Sequence, residues 1–235
     1  MQTFLHVEND NQVKITKTVK NKLMKGDLYV EPQIVDGSVL LRLKPEHAVI
    51  NNQNRAIINV WQQVKKNPFG ILDILKNVDQ FKITADYYLL QLRKYNELLR
   101  DRKYDYETAA LLIWLDQHSK EDVTAQVGEL DLTWNGNTNK TKVDRQNLLN
   151  ISKYLRNNNV DFWNLDLLSV FEAMSNLNME KIGVVNVDNL KTLLDQEEQN
   201  VKDDADNDEN SMQSIGLAFD EAVDRIKAFA TVIGE

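Results

Sequence analysis

Residues 28–68 read LYVEPQIVDGSVLLRLKPEHAVINNQNRAIINVWQQVKKNP and decide the fold. Two short apolar runs, at 28–30 and 48–50, have the length and composition of buried strands. The apolar residues from Ile57 to Val64 recur at helical spacing and predict a helix after the second strand. Because strands that alternate with helices are typical of a parallel sheet, this stretch predicts an α/β fold.

The same alternation continues along the chain. Asn67 followed by Pro68 is typical of a helix cap and first turn, and predicts a helix through Leu75. Further helices are predicted at 84–99, 106–115, 148–155 and 167–174, and further strands at 160–163 and 182–185. Residues 119–141 are rich in Asn, Thr and Gly, and predict loops with a short hairpin.

Composition excludes several classes of protein and site. The chain has 235 residues, of which 42% are hydrophobic, enough for a packed core. The absence of cysteine excludes disulfides, thiolate metal sites and cysteine nucleophiles. The histidines His6, His47 and His118 have no metal-ligand spacing, so no metal is predicted. Neither a secretory signal nor an apolar run of about 20 residues is present, so we expect a cytoplasmic protein without a membrane segment.

Charge is distributed unevenly. Residues 1–103 carry 17 Lys and Arg against 11 Asp and Glu, whereas residues 104–235 carry 11 against 25. A net positive charge in residues 1–103 is compatible with a nucleic-acid-binding surface, and equally with ordinary surface charge. Residues 195–210 contain eight acidic residues and one lysine, so they predict a solvated linker. Residues 212–232 predict a final amphipathic helix.

Several short runs in the quoted stretch fall in the order and spacing of one known family. They are Tyr29-Val30-Glu31-Pro32, the run 37–41, Lys44-Pro45, the run 48–51 with Asn54, the run 58–62, Val64-Lys65 and Asn67-Pro68. On these residues the chain resembles the Dam-type DNA adenine methyltransferases. Weaker similarity covers most of residues 1–190. The resemblance implies a Rossmann-like class I methyltransferase sheet, here truncated, with a helical insert and a C-terminal helix.

Despite this resemblance, the chain departs from the family's pattern at the cofactor-binding motifs. Residues 6–11 lack the glycines and lysines of the family's N-terminal turn. Its glycine-rich turn, Phe-x-Gly-x-Gly, is replaced by residues 33–37, in which only Gly37 remains. We expect Val35 to be unsuited to a positive φ and Asp36 to repel the carboxylate of S-adenosylmethionine. Asn52 stands where the family has an acid that binds the ribose, and so loses a charged acceptor.

The chain also departs from the family's catalytic motif. Its Asp-Pro-Pro-Tyr follows a later strand, holds the flipped adenine and stacks on its ring. Here the corresponding residues are Asn186, Val187, Asp188 and Asn189, without proline or aromatic residue. Asp166 keeps the acid that contacts the cofactor's adenine in the family, but it is also placed to cap the helix that follows, which we favour.

One basic cluster falls in the part of the chain that recognises DNA in the resembled family. Its members are Arg93, Lys94, Arg100, Arg102 and Lys103, which cluster with Tyr95 and Tyr104. Phosphate contacts need only positive charge and reach, so these residues are candidates for DNA contact. The alternative is a helix with a charged outer face.

These departures lead to a functional hypothesis. We expect a methyltransferase-like pseudoenzyme without catalytic residues, in which binding of S-adenosylmethionine is lost, acting through a protein partner in a phage or mobile-element setting that interferes with host defence. The alternatives are a non-catalytic DNA-binding protein and an active adenine methyltransferase with an atypical pocket. The predicted domains are 1–77 with 142–190, a helical insert at 78–141, an acidic linker at 191–210 and a helix at 211–235.

Overall fold

The computed structural model describes residue 5, residues 11–177, 182–187 and 231–233, and five single positions between 217 and 227. The predicted acidic linker lies outside the described residues. The described chain falls into two compact units. One comprises residues 1–9, 35–42 and 54–157, and the other comprises residues 10–34, 43–53 and 158–235. The domain boundaries drawn from the sequence stay a prediction.

The second unit is built on a parallel sheet. Its strands are β1 (Leu28–Glu31), β2 (His47–Asn51), β3 (Asn159–Trp163), β4 (Ile182–Asn186) and β5 (Thr231–Ile233), and their spatial order is β3-β2-β1-β4-β5. All four neighbouring pairs are parallel, which confirms the predicted α/β sheet. Buried β-branched residues such as Val30, Val49 and Val184 explain why these short runs form strands.

The helices α1 (Asn11–Lys22) and α8 (Leu167–Ser175) belong to the same unit as this sheet. Helix α1 packs against β4 and β5 and buries Ile15 and Val19, which are one helical turn apart. It was not predicted, because most of its other residues are polar or lysine. The fifth strand corrects a second expectation: residues 231–233 were predicted to end a helix, but Thr-Val-Ile is a β-branched run that pairs with β4. The described positions from 217 to 227 are helical.

The first unit is helical. It contains most of α2 (Ser38–Leu43), and α3 (Arg55–Lys66), α4 (Pro68–Val78), α5 (Ala85–Arg100), α6 (Tyr106–His118) and α7 (Arg145–Asn157). Helix α6 is its centre: residues 108–116 are all buried, and α3, α4 and α5 pack around it. Trp114 stacks on Tyr88 at 6.0 Å and on His118 at 4.3 Å between ring centroids. The predicted cap is confirmed, since Asn67 caps α4 and Pro68 begins it.

Residues 119–141 contain little regular structure, as predicted. A 3-10 turn spans Val123–Ala125, and one antiparallel bridge pairs Ser119 with Trp134. Within the described part of the chain, no helix is both long enough and apolar enough to cross a membrane.

Candidate functional site

Polar side chains are buried at the carboxyl ends of the central strands. Glu31 ends β1, Asn51 ends β2 and Asn186 ends β4, and each is 2% exposed. The chain runs from β1 outward to β2 and β3, and then returns to the other side of β1 with β4 and β5. The sheet therefore reverses its order between β1 and β4. In open parallel sheets, ligands bind beyond the carboxyl ends of the strands at such a switch point.

A chain of hydrogen bonds joins the two strands that flank this point. The Asn186 Nδ2 group donates to the Tyr29 hydroxyl at 3.2 Å, and that hydroxyl donates to Glu31 Oε2 at 2.8 Å. All three residues are buried, so the Glu31 carboxylate lies where charge is weakly screened. The bond to Tyr29 uses the amide nitrogen of Asn186, and so sets the orientation of its acceptor oxygen.

Asn51, at the end of β2, forms hydrogen bonds with the segments that follow β1 and β3. Its Nδ2 donates to the carbonyl oxygens of Pro32 at 2.9 Å and Leu165 at 3.2 Å, and its Oδ1 accepts from the Leu165 backbone N–H at 2.9 Å. The segments that follow β1 and β3 are thereby both tied to the end of β2. This amide orders the backbone around the candidate site.

Asn52 has a structural role of its own. Its Nδ2 donates to the Ile34 carbonyl at 2.5 Å, and the Ile34 N–H donates to the Asn51 carbonyl at 2.8 Å. Asn164 in turn donates to the carbonyl of Asn52 at 2.9 Å. An aspartate at 52 could not donate to Ile34, so the amide exchanges a charged acceptor for a bond that fixes the segment after β1.

Asp166 caps α8, which confirms the favoured interpretation. Its Oδ1 accepts from the Ser169 N–H at 2.8 Å, and its Oδ2 accepts from the Ser169 hydroxyl at 2.9 Å. Asp166 lies one residue beyond Leu165, in the segment that Asn51 fastens. The structure therefore brings Asn52 and Asp166 to the same edge of the sheet in the second unit.

Gln33 follows Glu31 by two residues and is 8% exposed, yet its Oε1 has no hydrogen-bond partner among the described residues. Sequence reasoning assigned no role to Gln33, Glu31, Tyr29 or Asn51. The signal that could have found the two strand-end residues, Glu31 and Asn51, is a polar residue directly after an apolar strand, because those positions form the ligand-facing edge of a parallel sheet.

Val35, Asp36 and Gly37 belong to the first unit, where they lead into α2. Gly37 has a φ of 67°, the left-handed conformation that glycine adopts most readily. Val35 is not among the residues with positive φ, as its branched side chain would lead one to expect. The Asp36 Oδ1 accepts from the Ser38 N–H at 3.0 Å, so this carboxylate stabilises the start of α2.

At the predicted position of the catalytic motif, Asn186 and Val187 are both buried. Asp188 and Asn189 lie outside the described residues. Among the residues that are described, no group of three or more His, Asp or Glu side chains could hold a metal ion. His118 is buried in the helical unit, where its ring nitrogens lie 2.7 and 3.0 Å from the carbonyl oxygens of Trp114 and Asn139.

The five residues of the basic cluster are exposed on and after α5. Three form ion pairs: Lys94 with Glu107 at 2.5 Å, Arg100 with Glu129 at 3.3 Å and Lys103 with Asp101 at 3.4 Å. Arg93 and Arg102 form no ion pair with any described residue. Exposed ion pairs contribute little to stability, so the paired lysines and arginine also stay available to an anionic ligand.

A groove of about 640 Å³ adjoins this cluster in the helical unit. It lies along α4 and α5 and is lined by Ile74, Asn77, Val78, Phe81, Tyr87, Leu90, Gln91, Arg93, Lys94 and Glu97. Burial, with a smaller contribution from Asp79, raises the pKa of Tyr87. The Tyr87 hydroxyl donates to the Val78 carbonyl at 3.0 Å.

Comparisons with known proteins agree with this architecture. The sequence pattern of the D12 class N6 adenine-specific DNA methyltransferase family matches residues 13–179. The type II methyltransferase M1.LlaDCHI of Lactococcus lactis subsp. cremoris is 30% identical over 140 residues, which are 58% of this chain and 48% of that protein. The chain thus spans about half the length of this curated relative.

These findings overturn two predictions. The chain was predicted to be a pseudoenzyme and to have lost S-adenosylmethionine, but the matched family consists of enzymes that use this cofactor, which is therefore expected here. The expected effects of Val35 and Asp36 on the cofactor stay predictions. The protein partner, the phage setting and the cytoplasmic location stay predictions. With the family pattern spanning residues 13–179, this chain belongs to the D12 class N6 adenine-specific DNA methyltransferases.

Proposed function

We propose that this chain binds S-adenosylmethionine at the carboxyl edge of its parallel sheet and takes part in methyl transfer to the N6 amino group of adenine in DNA. The observation that carries the proposal is the hydrogen-bonded chain Asn186–Tyr29–Glu31 at the switch point between β1 and β4. It places a buried carboxylate and a buried amide at the position where parallel sheets bind their ligands.

The residues present fit this cofactor by their chemistry. S-adenosylmethionine carries a sulfonium and an ammonium group, both positive, and supplies the methyl group when bound. The Glu31 carboxylate offers a negative charge in a buried setting, where attraction to a cation is stronger than in water. Asn52 and Asp166, in the same unit as Glu31, are the further positions that we assign to the cofactor.

Asn186 is the residue that we assign to the target base. Its amide oxygen is an acceptor for the N–H groups of the adenine amino group, and Tyr29 fixes its orientation through the amide nitrogen. This bond would hold the amino group in place for attack on the methyl carbon. Val187, Asp188 and Asn189 follow it in the chain and complete the proposed base-binding segment.

Methyl transfer to DNA tests this assignment. With labelled S-adenosylmethionine and adenine-containing duplex DNA, we expect transfer by the wild-type chain and a rate about tenfold lower for Asn186→Ala, the effect of one lost hydrogen bond. Asn150→Ala, an exposed change on α7, is the matched control and should transfer at the wild-type rate. Equal rates for Asn186→Ala and the wild type would remove Asn186 from the site.

Arg93, Lys94, Arg100, Arg102 and Lys103 are the residues that we assign to the DNA backbone. Positive side chains that contact phosphates release counterions, so affinity falls with salt in proportion to their number. Arg93 and Arg102 carry the clearest expectation, since neither forms an ion pair with a described residue.

The double variant Arg93→Ala/Arg102→Ala should weaken binding to duplexes of any sequence. The slope of log affinity against log salt should fall by about one for each phosphate contact removed. Fluorescence anisotropy with a labelled duplex at several salt concentrations measures both effects. Lys17→Ala/Lys20→Ala, a pair of exposed changes on α1, is the control for net charge. A slope equal to that of the wild type would place the DNA surface elsewhere.

A further inference from the structure

The buried amide of Gln33 is an unusual feature of the edge of the sheet. The residue is 8% exposed, and its Oε1 is buried without a hydrogen-bond partner. Native proteins rarely leave such an acceptor unpaired, because it has lost its water without gaining a replacement. An unpaired buried acceptor beside a ligand site is explained when the ligand brings the donor.

Other unpaired buried oxygens have a different setting. The hydroxyls of Tyr88 and Tyr95 lie on α5 in the helical unit, and Ser38 begins the six-residue α2. Gln33 instead follows the strand that ends in Glu31, and it precedes Ile34, whose backbone is held by bonds to Asn51 and Asn52. Its backbone is thus tied on both sides, through Pro32 and Ile34, while its side-chain oxygen stays unpaired.

We propose that Gln33 is a cofactor-binding residue whose amide oxygen accepts a hydrogen bond from bound S-adenosylmethionine. This inference rests on the proposed function and adds a contact to the same site. The donor is an N–H or O–H group of either the adenosine part or the amino-acid part of the cofactor.

Gln33→Met tests the role, because methionine keeps the length and flexibility of glutamine but cannot accept a comparable hydrogen bond. Two quantities are measured: the urea midpoint of unfolding without ligand, and the dissociation constants of S-adenosylmethionine and 5′-methylthioadenosine. The midpoint should be unchanged or higher, since no bond is lost in the free protein. The dissociation constant of S-adenosylmethionine should rise about tenfold. Gln62→Met, a half-buried change on α3, is the control.

The second ligand locates the donor, because 5′-methylthioadenosine lacks the amino-acid part. A similar loss for both ligands places the donor in the adenosine part, and a loss for S-adenosylmethionine alone places it in the amino-acid part. An affinity of Gln33→Met within twofold of the wild type, or a clearly lower urea midpoint, would overturn the proposal. A wild-type protein that binds neither ligand would instead contradict the proposed function itself.

Discussion

Glu31→Gln should weaken the binding of S-adenosylmethionine by at least about 30-fold, because the loss of one partner of a buried charge pair costs about 2–5 kcal/mol. Glutamine has nearly the same shape and still accepts the hydrogen bond from the Tyr29 hydroxyl, so the fold should be retained. Isothermal titration calorimetry measures the affinity, and urea denaturation checks that stability is retained.

Two controls separate charge from shape in the Glu31 experiment. The neutral ligand 5′-methylthioadenosine should bind Glu31→Gln about as well as it binds the wild type, because it carries no positive charge. Glu46→Gln removes an exposed carboxylate just before β2 and should leave both affinities unchanged. If the affinity of Glu31→Gln for S-adenosylmethionine stays within threefold of the wild type, Glu31 does not contact the positive part of the cofactor.

Asn51→Leu should lower the free energy of unfolding by about 2–4 kcal/mol. The change removes bonds to Pro32 and Leu165, and leaves buried backbone groups unpaired at a cost of about 1–3 kcal/mol each. It should also reduce the affinity for S-adenosylmethionine, because the segments after β1 and β3 lose their common anchor.

Urea denaturation followed by circular dichroism measures the loss of stability in Asn51→Leu. Asn150→Leu, an exposed change on α7, is the matched control and should stay within about 0.5 kcal/mol of the wild type. An Asn51→Leu variant as stable as the wild type would show that these hydrogen bonds make no net contribution to the free energy of unfolding.

Much of the fold could be predicted from short-range patterns. The strands at β1 to β4 are compact runs of β-branched and other apolar residues, and the caps at Asn67 and Asp166 precede clear helical stripes. Helix α1 was not predicted, because its buried residues, Ile15 and Val19, lie between lysines in the sequence. The strand β5 was not predicted, because it has only three residues and follows directly on a helical pattern.

The candidate site was harder to predict, because its contacts join distant parts of the chain. Asn51 and Leu165 are 114 residues apart, and Asn186 and Tyr29 are 157 residues apart. No local pattern indicates such bonds. The motif comparison also did not give the backbone conformation of the turn, in which Gly37 but not Val35 has a positive φ. Residue type alone does not fix φ, since the neighbouring residues and the anchoring bonds decide it.

Calorimetric titration of the wild-type chain with S-adenosylmethionine tests the proposed site most directly. We expect saturable binding of one ligand per chain in the micromolar range, weakened in parallel by Glu31→Gln and Gln33→Met but not by Glu46→Gln or Gln62→Met. Failure of the folded wild-type protein to release heat or gain thermal stability with the ligand would contradict a cofactor site at the edge of this sheet.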